Sequence, residues 1–213
     1  MQVRFVGAAA LVLGAALVSG CSELSKSMSG AEAQVTKGNQ NIAVEDLPPM
    51  RWDHSPRAQQ WTEASLAALD SHGAILPTLT PRDVERYCPA YPEAGAEDRK
   101  AFWAGMLSSL AKHESTWREA AVGGGGKWFG LVQIAPATAR GYGCEARSGE
   151  ALKNGELNLS CAVRIMSVTV PRDGVVASSG DGLAADWGPF HSSRKHEDIA
   201  AWTRVQPYCQ AQS

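Results

Sequence analysis

Residues 97–115, EDRKAFWAGMLSSLAKHES, carry the strongest helical pattern in the chain. The stretch opens with acidic residues and has a lysine near its end, the arrangement that the helix dipole favours. Four side chains recur at intervals of four, three and four residues and therefore share one stripe of an α-helix: Trp103, Leu107, Leu110 and Glu114. The sequence predicts a helix whose apolar stripe ends in a carboxyl group.

Glu114 is the polar end of this stripe. Phe102 and Met106 widen the apolar face, so Glu114 is expected at the edge of a buried surface. Burial raises the pKa of a carboxyl group, which a general acid near neutral pH requires. Periodicity alone leaves the alternative that Glu114 is simply the last-turn residue at which the helix reaches the surface.

The charge balance of the whole chain limits its partners. The 213 residues include 20 Lys and Arg against 22 Asp and Glu, a formal net charge of −2. Nucleic-acid binding usually requires a clustered basic face, and nothing in this balance indicates one. We therefore expect one main globular domain and no nucleic-acid partner.

Two sequences that superficially resemble cofactor motifs fail on inspection. Residues 113–117, HESTW, begin like the zinc-protease motif H-E-x-x-H, but Trp117 stands where the second histidine is required. Gly123 to Gly126 and Lys127 resemble a phosphate loop, yet Trp128 replaces its Ser or Thr. We expect no metal and no cofactor, and interpret the glycines as a turn leading into a short strand or buried loop around Gln133.

The N-terminus has the layout of an export signal, with Arg4 followed by an uncharged apolar run to Val18. The sequence VSGC at residues 18–21 resembles the lipobox of bacterial lipoproteins. This resemblance implies a signal peptide over residues 1–20 and lipidation of Cys21, and Ser22 favours the periplasmic face of the outer membrane of a Gram-negative cell. Membrane contact would be by the lipid anchor only. The alternative is an ordinary secretory signal with an incidental cysteine.

Three further segments are predicted after the signal. Residues 21–55 are rich in small and polar residues, which predicts a flexible tether. Residues 56–87 form a helical extension, whose first helix starts at Ser55-Pro56 and ends at Asp70. Residues 88–213 form the main domain.

Four cysteines remain after Cys21, and four allow three pairings in an oxidising compartment. We favour a short loop closed by Cys144 and Cys161 and a second bridge from Cys88 to Cys209, which ties the C-terminal tail to the domain. A zinc site is disfavoured because the sequence contains no C-x-x-C pair.

Three motifs resemble the catalytic domain of soluble lytic transglycosylases, which are related in fold to goose-type lysozyme. They are Glu114-Ser115, the stretch GLVQIAPATA at residues 130–139, and Tyr142-Gly143. The resemblance extends roughly from Cys88 to Cys209. It implies a mainly α, lysozyme-like α+β fold, with a short hairpin or irregular strand region beside the active-site groove.

The resemblance also implies a reaction. Glu114 would act as general acid and then base, cleaving the MurNAc–GlcNAc bond of peptidoglycan with formation of a 1,6-anhydro ring. Ser115 and Gln133 would place the substrate, with helix-end hydrogen bonding and turn structure as alternative roles. Trp128, Tyr142 and Trp187 are candidates for stacking on sugar rings, although aromatic residues often serve the core. Peptidoglycan glycan strands are the expected partner, and the protein is expected to be a monomer.

One block departs from the family pattern. Where many members have A-Y-N-x-G-P, this chain reads AADWGPF at residues 184–190. Asp186 is either a second carboxylate near the site or the cap of a turn, and we favour the cap. A lysozyme-type hydrolase and a non-catalytic peptidoglycan-binding lipoprotein therefore remain alternatives. His191 and His196 lie in a polar stretch that predicts a solvated surface.

Overall fold

A computed structural model describes residues 47–211 of the chain. The predicted signal peptide, Cys21 and most of the predicted tether lie outside these residues. Within them, no helix is long and apolar enough to cross a membrane.

Helices dominate residues 47–211. The α-helices are α1 (Ala58–Asp70), α2 (Ala96–Glu114), α3 (Pro136–Gly141), α4 (Gly155–Asp173) and α5 (Ser193–Arg204). Single 3₁₀ turns cover most of the connections, at Leu76–Thr78, Val84–Arg86, Tyr91–Glu93, Ala151–Lys153, Leu183–Ala185, Gly188–His191 and Pro207–Cys209.

Two short antiparallel hairpins complete the described fold. Strand β1 (Val122–Gly123) pairs with β2 (Trp128–Phe129), and β3 (Ala177–Ser178) pairs with β4 (Asp181–Gly182). A mostly helical domain with a small hairpin confirms the predicted mainly α, lysozyme-like fold class.

Helix α2 forms the centre of the core. All its residues from Ala101 to Ala111 are buried, and the Trp103 indole donates a hydrogen bond of 2.9 Å to the Tyr91 hydroxyl. Helices α1 and α4 pack against each other, and α5 packs against α2. The predicted helix over residues 97–115 is confirmed within one residue at each end.

The folded region begins earlier than the predicted boundary at residue 56. Met50 and Trp52 are buried, and the Trp52 indole donates to the Thr62 hydroxyl at 2.9 Å. Its ring also packs edge-to-face on Trp61, at 5.8 Å between centroids. An indole contributes a large apolar area, which explains why this short segment is anchored despite its polar surroundings.

Both favoured disulfides are present, Cys88–Cys209 and Cys144–Cys161. Their sequence separations are 121 and 17 residues. In the chain-entropy description such bridges stabilise the folded state by about 5 and 3 kcal/mol. In the described part of the chain, no group of His, Cys, Asp and Glu is arranged to hold a metal ion.

Candidate active-site groove

A cavity of about 520 Å³ opens at the C-terminal end of α2. Its walls come from that helix end, the β1–β2 hairpin, the loop before α3, the turn around residue 187 and the start of α5. The lining residues are His113, Glu114, Gly123, Gly124, Trp128, Gln133, Asp186, Trp187, Gly188, Pro189 and Lys195. The structure therefore brings four of the candidate site residues to one cavity: Glu114, Trp128, Gln133 and Trp187.

Glu114 is the last residue of α2 and is partly buried. Burial raises the pKa of its carboxyl to about 7, against the opposing effect of the nearby Lys195 ammonium. A carboxyl with this pKa is protonated in a large fraction of molecules at neutral pH and ionises readily once it has given up its proton.

The backbone turns sharply after Glu114. Thr116 and Trp117 have φ values of 53° and 55°, in the left-handed region that costs a non-glycine residue about 1–2 kcal/mol. Two hydrogen bonds hold the turn: the Trp117 amide donates to the Ala111 carbonyl at 3.3 Å, and its indole donates to the Ser108 carbonyl at 2.9 Å. The helix is thus forced to end at the carboxyl that lines the cavity.

Ser115 does not line the cavity. It is 3% exposed, and its hydroxyl donates to the Ala111 carbonyl at 3.2 Å. These contacts correspond to the alternative role of helix-end hydrogen bonding.

Gln133 forms part of the wall and also holds the wall together. It has φ 52°, and its amide group donates to the carbonyls of Ala121 at 3.2 Å and Gly130 at 2.9 Å. The buried Asn158 supports the same loop by accepting from the Val132 amide at 3.0 Å. A Cβ at Gly123 would come within 2.2 Å of the Gln133 Oε1, so any other residue there would have to displace the Gln133 amide group.

The three aromatic candidates differ in placement. Trp128 lines the cavity and is 46% exposed, so its ring is available for stacking. Trp187 also borders the cavity, but it is 3% exposed and its indole donates to the Val132 carbonyl at 2.9 Å. Tyr142 is half-buried at the end of α3 and is not among the lining residues. Trp128 is therefore the one of the three whose ring is exposed at the cavity, whereas Trp187 is buried in the cavity wall.

Asp186 lines the cavity, and its side chain makes no hydrogen bond within residues 47–211. The favoured role as a turn cap is therefore not what the structure shows. Partial desolvation raises the pKa of its carboxyl, opposed by the Arg172 guanidinium. Asp186 is thus a second carboxyl group at the groove.

Asp198 joins three parts of the fold beside the groove and was not predicted from the sequence. Its carboxylate accepts hydrogen bonds from Arg51 at 2.7 Å, Lys112 at 3.0 Å and His113 at 2.7 Å. These hydrogen bonds hold the pKa of the Asp198 carboxyl far below its usual range, and the bond from Arg51 contributes most. The cluster fixes the last turn of α2 against α5 and the segment before α1.

The predicted solvated surface around His196, in helix α5, is wrong for that residue. His196 is buried and its ring contacts the Tyr87 hydroxyl. A signal was present, because the buried positions of α5 recur at helical spacing: His196, Ile199, Ala200 and Thr203. On the neighbouring face Lys195 lines the groove, and no sequence pattern indicated its approach to Glu114.

Comparisons with known proteins agree with this geometry. Residues 92–174 match the family described as Transglycosylase SLT domain, and this segment includes Glu114 and Gln133. Solved structures of DslA, the wild-type protein and two variants with Glu replaced by Gln, are similar to this chain with a TM-score of 0.69 and 28% identity. They cover 76–77% of this chain and 97–98% of DslA. No protein of curated function matches the sequence significantly. The family match implies an enzyme of the transglycosylase type that acts on peptidoglycan.

Proposed function

We propose that this protein is a lytic transglycosylase that cleaves the β-1,4 bond between N-acetylmuramic acid and N-acetylglucosamine in peptidoglycan. The observation that carries the proposal is Glu114, a carboxyl with pKa raised to about 7 that lines an open groove inside the segment matching the transglycosylase family.

Glu114 takes two roles in the proposed reaction. Its protonated carboxyl donates a proton to the glycosidic oxygen as the bond to C1 of the muramoyl residue breaks, and the substrate's own acetamido group stabilises C1. The resulting carboxylate then takes the proton from the muramoyl C6 hydroxyl, whose oxygen attacks C1 and closes a 1,6-anhydro ring. The proton on Glu114 is restored, and no water is consumed.

Two groove walls suit a sugar chain. The exposed face of Trp128 offers a surface on which a sugar ring can stack. The amide hydrogens of Gln133 already bond the protein backbone, so its carbonyl oxygen is the group left to accept from a sugar hydroxyl or amide. Both residues therefore place the glycan relative to Glu114.

Mass spectrometry of muropeptides released from sacculi tests the proposal. Wild-type protein is expected to release products with 1,6-anhydro ends, and Glu114→Gln to lose about 10²–10⁴-fold in rate because the general acid is removed. Glu145→Gln, a change of the same kind at an exposed position, is the matched control and should keep the wild-type rate. Wild-type protein without cleavage products would indicate the non-catalytic binding alternative instead.

A lysozyme-type hydrolase is the second candidate, and Asp186 favours it. A second carboxyl group at the groove could activate water, the usual arrangement in a glycosidase with two carboxyl groups. This candidate predicts products with reducing ends and a large loss of rate in Asp186→Asn. Transglycosylation predicts anhydro ends from both wild type and Asp186→Asn.

We also propose that the mature protein is anchored through lipidated Cys21 at the periplasmic face of the outer membrane. The support is the lipobox-like sequence at residues 18–21. Expression of Cys21→Ser in a Gram-negative host with radiolabelled palmitate should give unlabelled protein that leaves the membrane fraction. Equal labelling of wild type and Cys21→Ser would contradict the anchor.

A further inference from the structure

A second cavity, of about 220 Å³, adjoins the groove at the start of α5. It is lined by Lys112, His113, Arg194, Lys195 and Asp198. Because His113 and Lys195 also line the groove, the two cavities share a wall next to Glu114. We call the second cavity the basic pocket.

The charges of the basic pocket do not cancel. Its one carboxylate, Asp198, is already bonded by Arg51, Lys112 and His113. Burial lowers the pKa of His113, which keeps that ring uncharged near neutral pH. Within residues 47–211, Arg194 and Lys195 make no side-chain hydrogen bond and no ion pair. Neither of these two cationic side chains is therefore bonded to a carboxylate, and the Lys195 ammonium acts on the Glu114 carboxyl across the shared wall.

The position of these cations goes against local preference. Arg194 and Lys195 occupy the first turn of α5, which contains no acidic residue. That end of a helix carries partial positive charge and favours anions. Departures from local preference of this kind concentrate at functional sites. Here Lys195 lies on the wall that the basic pocket shares with the groove, and Arg194 lines the pocket outside the groove.

We propose that the basic pocket binds a carboxylate of the peptide stem carried by the muramoyl residue, so that the protein prefers stem-bearing glycan strands. This inference rests on the proposed function. The stem is attached through the lactyl ether at C3 of the same sugar whose C1 reacts beside Glu114, and its residues carry free carboxylates. A guanidinium and an ammonium that line the same pocket suit this group, because charge-assisted hydrogen bonds to carboxylates are strong.

Binding of two disaccharides tests the inference without cleavage. GlcNAc–MurNAc with and without a tetrapeptide stem lacks the bond that the enzyme is proposed to cut, so wild-type protein can be titrated by NMR or calorimetry. Wild type is expected to bind the stem-bearing disaccharide about threefold to fivefold more tightly, the range for partly exposed ion pairs. Arg194→Gln should lose most of this preference, because Arg194 lines the basic pocket and not the groove.

Arg140→Gln is the matched control, since Arg140 is exposed on α3 and lines neither cavity. It should keep the wild-type preference. Equal affinities of wild type for the two disaccharides, or an unchanged preference in Arg194→Gln, would overturn the inference. If Arg194→Gln does not fold, the wild-type preference must still shrink as salt rises, and a salt-independent preference refutes the proposal. Failure of the proposed function would appear separately, as an absence of anhydro products from sacculi.

Discussion

Helices α2 and α4 are both 19 residues long, and each ends in a carboxyl residue, Glu114 in α2 and Asp173 in α4. Their chemistry is opposite. Burial raises the pKa of Glu114 to about 7, whereas hydrogen bonds from Arg172 and the Gly182 amide lower the pKa of Asp173 to about 2. The same position at a helix end therefore carries a carboxyl group with a raised or a lowered pKa, according to whether burial or hydrogen-bond donors dominate its surroundings.

The two helices also differ in how their ends are capped. In α4 the Asn154 side chain caps the first turn, and Gly174 takes the left-handed position that follows the helix, with φ 67°. In α2 the residue before the first turn, Gly95, provides no side-chain cap, and the left-handed residues Thr116 and Trp117 are not glycines. The capping residues of α4 follow local preferences, although Pro171 lies inside that helix, whereas α2 departs from them at the end that carries Glu114.

The pH dependence of activity is the strongest test of the contrast between the Glu114 and Asp173 carboxyl groups. Since Glu114 must be protonated to act as the acid, kcat/KM should be level below about pH 7 and fall about tenfold per pH unit above it. Asp173 is ionised throughout this range, so Asp173→Asn should leave the midpoint unchanged. The measurement is kcat/KM on soluble glycan strands from pH 5 to 9. A level profile to pH 9 would exclude Glu114 as the acid.

The free energy of unfolding should increase when Glu114 is replaced by Gln at a pH above its pKa. A carboxyl whose pKa is raised from 4.5 to about 7 in the folded state destabilises the fold progressively between these pH values, and fully above pH 7. Glu114→Gln removes that cost and should raise the free energy of unfolding by about 1–3 kcal/mol at pH 8. Urea unfolding should show almost no difference at pH 4. A loss of stability at pH 8 would contradict the buried-carboxyl description.

The residues in the left-handed conformation just after α2 and α4 predict smaller changes in the free energy of unfolding, of opposite sign. Gly174→Ala should lower the free energy of unfolding by about 1 kcal/mol, because alanine is strained at this backbone conformation. Thr116→Gly should raise it by about 0.5 kcal/mol, since relief of strain exceeds the entropy that glycine adds to the unfolded chain. Urea unfolding of both variants at pH 6 measures the difference. Destabilisation by both would show that Thr116 is held without strain.

Local patterns predicted the parts of the molecule that local physics determines. The apolar stripe of α2 gave the helix and the position of Glu114 at its end. The cysteine positions favoured the two bridges that are present. Each of these features depends on residues close in sequence, or on groups with few possible partners.

Contacts between distant residues were not predictable in this way. Arg51 and Asp198 are 147 positions apart, and neither has a neighbour in sequence that indicates the other. Trp52 lies in a short segment without helical or strand periodicity, so its burial depends on the site that α1 forms for it. The environment of Asp186 likewise results from packing, which placed its carboxyl at the groove instead of against a turn.

The Cys88–Cys209 bridge has a consequence for the resistance of the protein to proteolysis. Every residue that lines the groove and the basic pocket lies between these two cysteines in the sequence. A protease that cuts the chain once anywhere inside this covalent ring therefore releases no fragment, and the two pieces stay joined. A nicked molecule keeps Glu114 and all of its surrounding walls on one covalent unit.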